Sequence, residues 1–133
     1  MKPNLVRISD TNLSIGEGED IRGRKVFDSS GDEIGSISDL MIDDHGNKVR
    51  FIELSHGGFL GMGESKVLVP VDAITRITSD SVHIDRTRDH VAAAPRYDPQ
   101  LTDERYYDDL YGYYGYVPFW GAGYMYPPFP YYP

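Results

Sequence analysis

Four histidines, a glycine-rich loop and a cluster of aspartates are the residues of this 133-residue chain with the means to do chemistry. His45, His56, His83 and His90 are scattered, and no pair has the i, i+4 spacing with which a helix presents two imidazoles to zinc. Ser55 and His56 pair a nucleophile with a base only by adjacency. On an extended chain neighbouring side chains point to opposite sides, so hydroxyl and imidazole do not meet. Asp39, Asp43, Asp44 and His45 offer oxygen and nitrogen donors to a divalent cation. The calcium-loop spacing is missing, and aspartates beside a tight turn are accounted for by bonds to nearby backbone N–H groups. Gly57-Gly58-Phe59-Leu60-Gly61-Met62-Gly63 invites a phosphate, because glycines let backbone N–H groups approach an anion. It has neither a G-x-G-x-x-G nor a Gly-Lys-Ser/Thr sequence, and a strand rather than a helix follows it. The preferred reading is a wide turn whose Phe59 and Leu60 cap one end of the fold and are available for contact. No catalytic residue, metal site or cofactor site is expected, and the chain is not expected to be an enzyme.

Composition narrows the partners. Thirteen Lys and Arg against 21 Asp and Glu leave a net charge of −8, which disfavours DNA and, without a basic stripe, RNA. With no cysteine, disulfides and thiolate chemistry are excluded. Met1–Asp10 has no apolar run behind basic residues, so neither a secretory signal nor a membrane anchor is expected there, and a cytoplasmic location is.

The 11 tyrosines and the tryptophan all lie at or after Tyr97, and residues 111–133 carry no charge. That stretch holds eight Tyr, five Pro and four Gly, a composition that breaks any membrane-spanning helix. Tyr and Trp combine large contact area with a polar tip and low rotamer entropy, so they suit interfaces. Tyr106, Tyr107, Tyr111, Tyr113, Tyr114, Tyr116, Phe119, Trp120, Tyr124 and Tyr126 are therefore the expected interaction residues. Docking on a partner or a sister subunit is preferred to wrapping over the chain's own fold, with a self-associating segment as the third reading. The chain divides into an acidic, flexible lead-in (1–19), a folded unit (20–96) and a Tyr/Pro/Gly-rich tail (97–133).

Within the folded unit, order is expected from Ile21 onward as short strands separated by turn residues. Strand Lys25-Val26-Phe27 runs into the turn Ser29-Ser30-Gly31-Asp32. Glu33–Ile42 has apolar residues on both parities, which suggests a curved sheet with a bulge near Gly35 or Ser38. A second turn falls at Asp43–Gly46. Strands follow at Val49–Ser55 and Val67–Val71, where Pro70 marks an edge or a strand end. Ile74–Thr78 and Ser81–Asp85 pair across Ser79-Asp80. Six strands at this spacing predict a mainly β fold, a small six-stranded barrel. Thr87 caps a helix reaching Ala94, and Thr102-Asp103-Glu104 opens a second that reaches Leu110 or Tyr111.

Gly23-Arg24-Lys25-Val26-Phe27-Asp28 with Gly31–Asp43 resembles the opening of a PRC-barrel domain, the barrel of the reaction-centre H subunit and of ribosome maturation factors. Gly57–Glu64 and Val69–Ile74 are similar to later blocks of that family. Arg86-Thr87-Arg88-Asp89 through Ala94-Pro95-Arg96-Tyr97 resembles the ending of free-standing bacterial members. The resemblance spans about residues 20–97. It implies a non-catalytic adaptor that scaffolds protein contacts, here expected as a homodimer. Two other roles follow from the resemblance alone: a soluble accessory factor that associates peripherally with a photosynthetic or redox membrane complex, and an RNA or ribosome-processing factor. Neither the transmembrane helix of the reaction-centre subunit nor the extra N-terminal domain of the maturation factors is expected here.

Overall fold

The computed structural model of the chain describes residues 5–10, 15–43, 48–57, 64–97 and 104–130. The first organising feature is a carboxylate. Asp28 follows strand β2 (Lys25–Phe27), and its Oδ1 accepts from the Ser30 and Asp32 N–H groups at 3.0 and 2.9 Å. Gly31, at φ 88°, takes the left-handed conformation this turn requires. The chain thereby reverses into β3 (Glu33–Asp43). The expected bend lies at Ser38, where the pairing of β3 with β4 (Val49–Gly57) shifts register. β5 (Glu64–Pro70) ends at its proline. A 3-10 turn, Val71–Ala73, leads into β6 (Ile74–Ile77), and β7 (Ser81–Ile84) returns beside it. That hairpin is fastened by Thr78, whose hydroxyl accepts from the Ser81 N–H at 3.0 Å.

The strands form one sheet in the order β5-β4-β3-β2-β7-β6, antiparallel except for the β2–β7 pair. A seventh strand, β1 (Leu5–Arg7), pairs with Met41–Asp43 of β3. Two corrections follow. Order begins before Ile21: Leu5–Arg7 is too short to show a period of its own and takes its hydrogen bonds from Met41–Asp43, far along the chain. The ring of strands is also not closed, because among the described residues β5 and β6 end the hydrogen-bonded series without pairing to each other.

Cross-strand register separates two faces. Leu40 with Ile52 and Val69, Ile37 with Leu54 and Val67, and Val26 with Val82 share the inner face, and all are buried. On the other face Asp39 lies opposite Glu53 and Leu68, and Met41 opposite Phe51. These are buried as well, so something must cover the outside of the sheet. The cover comes from the C-terminal third of the chain.

Thr87 caps helix α1 (Arg88–Ala92), its side chain accepting from the His90 N–H at 3.2 Å. The Asp28 Oδ2 accepts from the Arg88 N–H at 2.8 Å and ties this helix to the first turn. Helix α2 (Glu104–Tyr114) runs a full turn past the expected end at Leu110 or Tyr111. Gly115, at φ 82°, stops it: the Gly115 and Tyr116 N–H groups both fold back on the Tyr111 carbonyl, at 2.8 and 3.0 Å. Asp44–Gly46 of the expected Asp43–Gly46 turn and residues 58–63 of the glycine loop, with Phe59 and Leu60, lie outside the described residues.

Candidate functional site

The aromatic segment lies on its own barrel. Tyr111 is 0% exposed, with its ring 5.0 Å from that of Phe51 on β4. Tyr107 approaches the same phenylalanine at 5.7 Å. Beyond the helix, Trp120 meets Tyr111 and Phe119 edge-on at 5.7 and 5.0 Å, and Phe119 and Phe129 are buried. Offset and edge-to-face contacts of this kind add about 0.5–1.5 kcal/mol each to the burial of the rings.

Barrel cations fix the segment in place. The Arg50 guanidinium sits 4.4 Å from the Phe119 ring, 5.2 Å from Tyr126 and 5.7 Å from Tyr124. Its Nε also donates to Asp43 at 2.7 Å. Lys48 covers Tyr126 at 4.8 Å, and the Tyr126 hydroxyl donates to the Val49 carbonyl at 3.2 Å. At the other end Arg86 lies 5.0 Å from the Tyr116 ring and donates to the Tyr114 carbonyl. The Tyr116 hydroxyl donates to Asp85 at 2.8 Å. The Tyr113 hydroxyl donates to the His90 carbonyl at 2.6 Å, and the two rings stack at 4.4 Å. The Tyr106 hydroxyl reaches the Pro95 carbonyl at 3.2 Å.

Burial raises the pKa of these phenols. Tyr97 and Tyr116 are pushed up to about 12. Tyr106, Tyr107, Tyr111, Tyr114, Tyr124 and Tyr126 are raised further by the same cause.

Under the edge of this cover lies a charged cluster. Arg7 of β1 meets Asp39 at 3.2 Å through Nε and Glu53 at 3.2 Å through Nη2. Lys66 of β5 meets Glu53 at 3.3 Å, and Ser9 bonds Asp39 through both its N–H and its hydroxyl. Glu53 is 0% exposed, so removing both cations would strand a buried charge. Asp39 and Asp43, two members of the considered cation cluster, are thus engaged by guanidinium groups in separate places. Asp44 and His45 fall outside the described residues.

Residues 16–91, more than half of the chain, match the PRC-barrel domain family. The chain belongs to that family. No curated protein matches it. Family members are generally non-catalytic, and the domain is a known protein-interaction module. In this PRC barrel the match ends within α1, so the aromatic cover lies outside the matched part.

The expected contact residues divide accordingly. Tyr111, Tyr114 and Phe119 are buried in the chain's own core. Within the chain Tyr111 lies against Phe51 of β4, Tyr114 against His90 of α1 and Phe119 under the Arg50 guanidinium. Tyr106, Tyr107, Tyr113, Tyr116, Trp120, Tyr124 and Tyr126 are half-buried, packed on the core with part of each ring in solvent. Sequence reasoning missed Val117 and Met125, which are 49% and 85% exposed and are the exposed large hydrophobic residues among those described. Two aliphatic residues among tyrosines give no signal of their own. It also missed Lys48, Arg50 and Arg86 as partners of the rings, because nothing in a sequence pairs a cation with a ring many residues away.

Among the described residues, the outward row on the other half of the sheet is mixed, with Lys25 and Arg76 exposed, Phe27 and His83 half-buried and Ser81 buried. On β2, β7 and β6 the outward row contains Lys25, Phe27, Ser81, His83 and Arg76, with Phe27 and His83 stacked at 5.2 Å. Lys25, Phe27, Asp80, Ser81 and His83 line a groove of about 350 Å³. Among the described residues no helix is long and apolar enough to cross a membrane.

Proposed function

We propose that this PRC barrel is a non-catalytic adaptor that holds other proteins through the outward crest of its aromatic segment and works as a homodimer. One observation carries this reading. The segment spends most of its rings on its own barrel, yet the exposed large hydrophobic residues, Val117 and Met125, both lie on it. Exposed apolar side chains on a segment of half-buried aromatic rings are the residue types of an interface centre. Repeated about a two-fold axis, the same crest makes a self-complementary contact.

The test leaves the packed rings alone. Val117→Asp and Met125→Asp change only exposed side chains, so the fold should persist. The double variant is expected to sediment as a lighter species than the wild type and to lose proteins that co-purify with the wild-type bait from native cells. If both baits return the same proteins and sediment alike, the crest is not the contact surface.

A further inference from the structure

The N-terminal strand is seated at two buried carboxylates. β1 lies ahead of the family match, which begins at residue 16, and it adds only Leu5, Val6 and Arg7 to the Met41–Asp43 edge of β3. From there one guanidinium reaches both acids: Arg7 Nε lies 3.2 Å from Asp39, and Nη2 lies 3.2 Å from Glu53. Asp39 is 1% exposed and Glu53 0%. Glu53 has a second cation, Lys66, at 3.3 Å. Asp39 depends on the N-terminal segment itself. Besides Arg7 it is met by the Ser9 N–H and hydroxyl, and its other bond among the described residues comes from the adjacent Leu40 N–H at 2.9 Å.

These contacts dictate what can occupy the edge. A strand laid on a sheet edge takes affinity from backbone hydrogen bonds, which almost any sequence offers, and specificity from the side chains it buries. Covering Asp39 with a strand that brings no cation would leave a desolvated charge. An ammonium is a point charge, whereas a planar guanidinium meets two carboxylates through two of its nitrogens. The site therefore selects arginine. The resident strand does not fill its seat: a cavity of about 300 Å³ opens beside it, with Leu5, Val6, Met41, Tyr97 and Tyr107 in its lining. All three residues of β1 are only half-buried.

We propose that this edge is a docking site for an extended, arginine-bearing segment of a partner protein, and that Leu5–Arg7 is a resident occupant which the partner displaces. The incoming segment pairs with Met41–Asp43, sets its arginine between Asp39 and Glu53, and fills the cavity with apolar side chains. The net charge of −8 favours the approach of a basic segment. The site does not rest on the crest reading, since Val117 and Met125 are not among its residues.

The probe is a fluorescent peptide with the sequence of residues 5–10, titrated by anisotropy against the full chain. Arg7→Ala loosens the resident strand and leaves the carboxylates in place, so it should bind the probe about tenfold more tightly than the wild type does. Replacing the arginine of the probe by alanine should weaken binding to that variant by about tenfold. Should Arg7→Ala not fold, Arg7→Lys, which keeps the charge but not the fork, serves in its place. A folded variant that does not saturate with the probe, or that binds both peptides alike, would overturn the proposal. A wild-type dimer that becomes monomeric in the Arg7 variant would give the site to a second copy of this chain and overturn the partner assignment.

Discussion

Asp28 shows how much one carboxylate can hold. Burial works against its charge, yet N–H donors from Asp32, Arg88 and Ser30 hold its pKa below the usual carboxylate value. The side chain is 4% exposed. Its removal would orphan donors in the first turn and at the start of α1 together. Asp28→Ala should therefore destabilise the protein by roughly 2–4 kcal/mol, read from urea denaturation. The sign with pH follows from the lowered pKa. The contribution is present above the unfolded value near 3.8 and is lost as pH falls through the lower folded value. The wild type should thus lose stability below about pH 4 more steeply than Asp28→Ala does; parallel acid denaturation curves would contradict this.

The phenols act at the opposite end of the scale. Burial raises each of them, so their contribution is present below the unfolded value near 10 and is lost as pH rises through the folded values. Absorbance at the tyrosinate band should show most of the 11 tyrosines ionising late and together with unfolding. Independent titration near pH 10 with the fold intact would mean the rings are in solvent.

At the scale of elements, α2 is the part that turns a half-covered sheet into a packed one. Leu110 is fully buried on it, and Leu110→Ala should cost about 2–5 kcal/mol. Gly115 ends the helix with positive φ, so Gly115→Ala should cost about 1–2 kcal/mol although its side chain would meet open space. Thermal melts of the two variants check both values. Legibility in the sequence follows the range of the interactions. The turn at Asp28–Asp32, the bulge at Ser38 and the Thr87 cap depend on neighbours within a few residues, and each could be read directly. β1 could not be read that way, since Leu5–Arg7 is a strand only because Met41–Asp43 lies beside it. The destination of the tail was hidden for the same reason. Tyr111 and Phe119 look like interface residues by type, and only the folded chain brings them against Phe51 and Arg50.

At the scale of the whole molecule, the chain is one unit with an asymmetric surface. An aliphatic interior fills the inside of the sheet, aromatic rings lie over one half of the outside, and among the described residues Lys25 and Arg76 on the other half are exposed. Without the segment beyond Tyr97, Phe51 would lose the Tyr107 and Tyr111 rings that lie against it, and a domain of this size has little stability to spare for newly exposed apolar area. Differential scanning calorimetry with sedimentation velocity on the full chain and on a chain ending at Tyr97 tests that dependence most directly. The shortened chain should melt several degrees lower and self-associate through its newly exposed face. An unchanged melting temperature, with a sedimentation coefficient reduced only by the lost mass, would show that the rings do not hold the barrel together.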